Sequence, residues 1–404
     1  MKLVSFSNEY LQMGEPLPFG LRNTDGQLLL RAGLSISNPA HLEELKEVPL
    51  YADEAEAGPW MRRLAAACDT VIRNGGSLKH LAAARPEAPR EPSTATVTLT
   101  LGEQWDELVL NLDSTLRDAR PGTEWPERLA AVHGRARQLA LKRPDASLYH
   151  MVYEAGLTTE RYSSRHALMT MVMGEQAATA LGWPQDRIDV LGVAALTMNI
   201  AMLRLQDQLA TTELNLDAKA RAVIDNHADG SARMMEAAGL TDALTLAVVR
   251  RHHDQSDDAT ALPELSPERQ IARLLRRVDM FAAKISKRTT RAPISPVQAA
   301  REACLGAGGV PDEVGGALLR AVGLYPPGSF VELANGEMGI VLARGRRANL
   351  PFVATLVSSS GNVLGTPALR DTLDRRYAVK SALAPGVVKV RPPHERLLAM
   401  RTAA

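Results

Sequence analysis

Only two cysteines, Cys68 and Cys304, stand in the 404 residues, and they lie far apart. That spacing matches neither a zinc knuckle nor a disulfide framework, so a reducing, cytoplasmic setting is the simple expectation. An excess of charge of one sign is missing too. The formal net charge is +1, which offers no general attraction to a nucleic-acid polymer or an anionic membrane. No apolar run is expected to reach the ~18–20 residues that cross a bilayer, so no membrane span is expected. The stretch from Met1 to Glu9 lacks the long apolar core of a signal peptide, and no internal repeat of fixed period occurs. What remains is an ordinary globular composition, 45% hydrophobic and 23% charged, in a chain long enough for two or three domains.

Punctuation along the chain divides it into four parts. Residues 1–83 are expected to form a β-rich leader with a helix. Asp25-Gly26 separates two short apolar runs, a hairpin signal because Gly accepts the positive φ the turn needs. From Trp60 through Leu64, Cys68, Val71 and Ile72 the apolar spacing is helical, and a helix is expected over 59–83. Residues 84–102 are expected to be a linker, because three prolines within 84–95 hold neither a helix nor a central strand; Thr96 to Leu101 reads as a short strand or the lead into a helix. Residues 103–325 read as helical throughout, with stop signals at Gly182-Trp183-Pro184, at Gly239 and at Ala307-Gly308-Gly309. The segment 186–205 is apolar almost all round, as a helix at the centre of a bundle would be. Residues 326–404 read as a small antiparallel β domain. Asn335-Gly336 and Ser360-Gly361-Asn362 mark its hairpins, and Val387-Val388-Lys389-Val390 is expected to close it.

Four histidines, His166, His227, His252 and His253, fall in the helical part, followed by Asp279. Imidazole and carboxylate suit a divalent transition metal, and donors on separate helices can converge in a bundle core. Five stretches carry a resemblance: Tyr162 to His166, Ala195 to Leu203, Ile224 to Gly230, Val249 to Asp254, and Val278 to Arg288. In that order and at those intervals they resemble the ligand helices of the HD-GYP family, metal-dependent phosphodiesterases that act on cyclic di-GMP. The segment Pro327 to Leu333 with Gly336-Glu337-Met338-Gly339 resembles what often follows the family's last helix. The resemblance covers roughly residues 125–345. It implies a mainly α fold, an HD-type all-helical bundle flanked by the two small β domains. It also implies a remnant metal site at His166, His227, His252, His253 and Asp279.

The departures bear on activity. The family's His-Asp pair reads Met198-Asn199 here, the lysine that would face the phosphate reads Met202, the Gly-Tyr-Pro motif is absent, and Tyr162 stands where some members carry a glutamate ligand. In the family the Asp of the pair bridges two metals. An amide keeps its shape but brings no negative charge, and a thioether is a poor ligand for Mn, Fe or Zn. The nucleophilic water needs metal to become hydroxide at neutral pH, and Met202 removes a cation from the developing phosphorane charge. The expectation is therefore a non-catalytic scaffold or sensor in bacterial cyclic di-GMP signalling, binding no cofactor or a single divalent metal (Fe, Mn or Zn). Its partners would be signalling proteins, cyclic di-GMP itself, or a second copy in a homodimer. The alternative is an active metal-dependent phosphodiesterase with a reduced site. The HDOD group lost the HD chemistry as well, but the retained histidines and the β tail favour HD-GYP.

Other features have plainer readings. His41, His80, His133, His150 and His394 lack such company and are expected to be surface or incidental residues. Arg344, Arg346 and Arg347, and on one helix Arg273, Arg276, Arg277, Lys284, Lys287, Arg288 and Arg291, read as a solvated face rather than a phosphate contact. Met169, Met171, Met173, Met198 and Met202 read as gap-filling core, and Gly174 as a site of close helix packing.

Overall fold

Turn chemistry organises the first sheet. Strands β1 (Leu3–Phe6), β2 (Leu21–Arg22), β3 (Leu28–Leu30) and β4 (Leu50–Asp53) form an antiparallel sheet in the order β1-β4-β2-β3. Gly26 turns β2 into β3 at φ +82, as Asp-Gly implied. A short helix unforeseen in the sequence, α1 (Pro39–Lys46), lies between β3 and β4. Helix α2 (Glu54–Arg73) brings Trp60 within 5.6 Å of Phe6 and 5.5 Å of Phe19, ring centre to ring centre, closing an apolar core. The computed structural model describes residues 3–36, 38–73, 99–213, 216–306, 309 and 311–402. The expected linker, the extension of α2 towards residue 83, His80 and most of the stop signal at 307–309 lie outside them.

By contacts the chain divides into two units, Met1–Glu107 and Leu108–Ala404. The division falls inside helix α3 (Leu101–Arg117). Of the segment 96–101, residues 96–98 lie outside the described residues, and the chain is helical from Leu101. The Glu103 amide reaches Thr100 Oγ1 at 3.3 Å and the Thr100 amide reaches Glu103 Oε2 at 2.9 Å, a reciprocal cap that fixes the first turn.

The second unit is a helical bundle with a sheet. Its helices are α4 (Trp125–Lys142), α5 (Pro144–Leu157), α6 (Tyr162–Ala180), α7 (Gln185–Thr197), α8 (Leu203–Thr211), α9 (Ala218–Asp225), α10 (His227–Ala237), α11 (Ala243–Arg251), α12 (Pro267–Ile285), α13 (Pro296–Cys304) and α14 (Glu313–Val322). Helix α6 is the hub and packs against α7, α12 and α14. A Cβ on Gly174 would sit 3.4 Å from Leu191 of α7, the close packing its position suggested. Met169, Met171, Met173 and Met198 are at most 1% exposed, as core fillers are.

The apolar segment 186–205 is not one helix. It ends as α7 at Thr197, passes through a 3-10 turn at Ile200–Met202 and restarts as α8. Asn199 and Met202 sit near φ −110, ψ 10, outside helical values, so the run of carbonyls tilts at that point. A second expectation is also corrected. Gln185–Thr211 is long and apolar enough to cross a membrane by length and composition, although 56% of that window is buried inside the bundle, as a core helix would be.

Strands β5 (Phe330–Leu333), β6 (Met338–Ala343), β7 (Phe352–Val357), β8 (Val363–Asp371) and β9 (Val379–Leu383) make an antiparallel sheet ordered β8-β7-β6-β5-β9. Both expected hairpins are present. The closing strand, however, is β9 and not Val387–Val390. There the chain turns, with the Val387 amide bonded to Ala384 O at 3.0 Å, and Val388 serves as a core plug, 6% exposed. A helix follows that was not anticipated, α15 (His394–Thr402). His394 is not incidental. Its Nδ1 meets Tyr149 Oη at 2.9 Å and its ring centre lies 4.4 Å from that of Tyr153, and burial pushes its pKa down to about 4.

Candidate metal centre

Helix ends place the histidines. Asn226 interrupts the chain between α9 and α10, so His227 opens α10 and its Nδ1 reaches back to Ile224 O at 2.5 Å. His252 closes α11 and its Nδ1 meets Val249 O at 2.6 Å. A carbonyl only accepts, so both Nδ1 atoms carry a proton, and each Nε2, the ligating atom of the neutral ring, faces inward. Those two Nε2 atoms are 3.1 Å apart, and His253 Nε2 is 3.1 Å from that of His227. Among the described residues, His227, His252 and His253 are the group whose ligand atoms lie within 4.8 Å of one another.

Three converging nitrogens that share at most one proton repel one another unless a cation sits among them. The donor set therefore fits a divalent metal such as Zn, Fe or Mn. His252 is fully buried, and burial first, then the neighbouring His253, pushes its pKa down to about 3, so it stays neutral and able to ligate. Burial likewise lowers His253, which lies at the exposed edge of the group.

The other two sequence candidates meet each other. His166 Nε2 donates to Asp279 Oδ1 at 2.7 Å, which brings α6 and α12 together. Burial alone would raise the Asp279 carboxyl, but the hydrogen bond from His166 holds it below its ordinary value. His166 Nδ1 is buried without a partner. Tyr162, one turn earlier, lies parallel to the His166 ring with centres 5.7 Å apart, and its hydroxyl accepts from Arg288 at 3.0 and 3.1 Å.

The turn with the missing donors lies against the triad's own helix. The Ala201 amide donates to Ser231 Oγ of α10 at 3.2 Å, and a Cβ on Gly230 would come within 3.0 Å of the Ala201 methyl. Met198 is 1% exposed. At this buried turn the chain offers a thioether and an amide, neither of them an anionic ligand.

Two expectations need correction. The basic stretch is a solvated face only in part: Arg273, Arg276 and Arg277 are 7%, 4% and 8% exposed, whereas Lys287 and Arg291, past the end of the helix at Ile285, are exposed as expected. Arg277 donates to Ala303 O, Leu305 O and Asp312 at 2.9–3.1 Å, while Arg344 spans Asp145 at 2.5 Å and Gln176 at 2.8 Å. Arg346 and Arg347 are exposed as expected. Nor is His133 a surface residue. It is 7% exposed, and its Nε2 donates to the buried Glu175 at 2.7 Å. Arg137 adds two bonds to Glu175 at 2.7 and 2.9 Å and also pairs with Asp189, and these carboxylates raise the Arg137 pKa. His133 and Arg137 stand four apart, one helical turn, a spacing that could have flagged a shared partner.

Half of the chain is similar in sequence to a cyclic di-GMP phosphodiesterase, which supports an HD-GYP-like reading of these helices. The relative that carries this likeness is the cyclic di-GMP phosphodiesterase PA4108 of Pseudomonas aeruginosa, 26% identical over 210 residues, which are 51% of this chain and 50% of that protein. The chain thus spans about half the length of the curated relative it matches. Among solved structures, Bd1817, an HD-GYP-type protein from Bdellovibrio bacteriovorus, aligns at a TM-score of 0.44 and 13% identity, covering 78% of this chain and 98% of that one. No family model matches the chain.

Proposed function

We propose that this chain is a non-catalytic HD-GYP-like protein that serves cyclic di-GMP signalling as a sensor or scaffold, binding a phosphate-bearing ligand or protein partner without hydrolysing it. The observation that supports this reading is the turn at Met198-Asn199, with Met198 buried and Asn199 half-buried. Two divalent ions bring four positive charges into a bundle core. The carboxylate whose charge acts on His252 and His253 is Asp279, and it is already bonded to His166. In a poorly polarisable interior that imbalance is prohibitive. One ion on His227, His252 and His253 is affordable, and when bound it would supply Lewis acidity and a structural clasp between α10 and α11.

The experiment is turnover of cyclic di-GMP, and of its linear product, by the purified chain loaded with Mn, Fe or Zn. No turnover above the metal-free blank is expected. Hydrolysis that disappears in His227→Ala would overturn the proposal. The second reading, a phosphohydrolase with a reduced site, is favoured by the convergence of the three Nε2 atoms. Protein purified with no bound metal, and showing no response to added metal, would remove it.

A further inference from the structure

Three arginines on successive turns of α12 reach a single loop. Arg269 pairs with Asp257 at 2.5 Å, Arg273 donates to Thr260 O at 2.8 Å and to Asp257 O, and Arg276 pairs with Asp258. The loop, residues 254–260, leaves directly from His252 and His253. It is folded on itself, with the Ser256 amide on Asp254 Oδ1 at 2.9 Å and the Thr260 amide on Asp257 O at 2.9 Å. Arg269 and Arg273 hold it through Asp257 and backbone carbonyls, contacts that do not involve Asp258.

Arg276 differs from the other two. It is 4% exposed, and its Nε is buried with no hydrogen-bond partner. Its carboxylate partner, Asp258, keeps 42% of its side chain in solvent. Arg276 stands three residues before Asp279, on the same face of α12, and its positive charge is felt at His253. A buried guanidinium with an unused donor thus borders the histidines, and a half-exposed carboxylate on a loop neutralises it. The planar guanidinium fork matches phosphate oxygens better than a single carboxylate contact does.

We propose that Arg276 is a phosphate-binding cation of the histidine site, and that Asp258 holds its place until a phosphate or phosphodiester oxyanion displaces it. The proposal rests on the reading above, in which the site binds a phosphate-bearing ligand, and it assigns to Arg276 the positive charge that Met202 does not supply.

The test is calorimetric titration of the full chain with cyclic di-GMP and, separately, with inorganic phosphate, for the wild type, Asp258→Asn and Arg276→Met. Removing the competing carboxylate should tighten dinucleotide binding about tenfold, and removing the guanidinium should weaken it by about as much or more. Inorganic phosphate following the same order assigns the contact to the phosphate alone; a response confined to the dinucleotide assigns it to phosphate presented on the nucleotide. Asp258→Asn that binds no tighter than wild type, Arg276→Met that binds as wild type, or no binding by any of the three overturns the proposal. If Arg276→Met melts before it can be titrated, Asp258→Asn decides, since it leaves the buried arginine in place. Turnover recorded in the same samples would overturn the non-catalytic reading while leaving the order of affinities intact as a test of Arg276.

Discussion

Helix α6 takes part in two histidine–carboxylate pairs, about 14 Å apart along its axis at 1.5 Å per residue, and both close at 2.7 Å. At one, His166 of α6 meets Asp279; at the other, His133 of α4 meets Glu175 of α6. The difference lies in their company. Around Asp279 stand further imidazoles with inward lone pairs and the ring of Tyr162. Around Glu175 stands Arg137, whose guanidinium takes both carboxylate oxygens. The first is a group short of a cation, and the second already has one. A histidine beside a carboxylate therefore marks neither a metal site nor a structural clasp by itself; the charge of the third partner separates them.

The largest expected effect comes from giving the first end its missing donors. Met198→His with Asn199→Asp adds an imidazole and an anion at the buried turn, so metal content should rise from about one to about two ions per chain, measured by mass spectrometry of chelator-free protein. A count that stays at one would show that the 3-10 turn at 200–202, and not the side chains alone, has closed the second position. The second end breaks differently. A Cβ on Gly192 would lie 2.2 Å from Glu175 Oε1 and 2.3 Å from His133 Nε2, and both atoms are buried and engaged. Gly192→Ala should cost about 3 kcal/mol in urea denaturation, by overpacking, with metal content unchanged. A loss of metal in that variant would join the two ends that the comparison separates.

How much of this was legible in the sequence follows the same division. His166, His227, His252, His253 and Asp279 could be singled out because the stretches that carry them resemble the ligand helices of the HD-GYP family, and the structure brings the three later histidines together and sets His166 on Asp279. The hairpins at Gly26 and Gly336 could be read because a positive φ demands glycine. The i, i+4 spacing of His133 and Arg137 could hint at a shared partner but not at which one, since nothing local links a histidine of α4 to a glutamate 42 positions on. The arginines of α12 misled for a related reason. Charge periodicity looks the same whether a guanidinium points to water or to a carbonyl such as Ala303 O. The strand expected at Val387–Val390 failed because its apolar alternation serves a core plug beneath α15 equally well.

The smallest effect sharpens the first end of the comparison. If Tyr162 belongs to the packing around His166 and not to the ligand set, deleting its hydroxyl should cost stability and leave metal untouched. Tyr162 is 4% exposed, burial raises its hydroxyl pKa, and the group accepts from two Arg288 nitrogens while the guanidinium lies 5.0 Å from the ring centre. Tyr162→Phe keeps the ring stack on His166 and the cation above it, and removes only the acceptor. Arg288 is partly exposed and can turn its freed N–H groups to water. The loss should therefore lie near the low end for a hydrogen bond to a charged group, about 1 kcal/mol in a denaturant titration. A larger loss accompanied by weaker metal binding would mean that the Tyr162–Arg288 contact orients His166 for the metal, and His166 would then belong with the triad and not with Asp279.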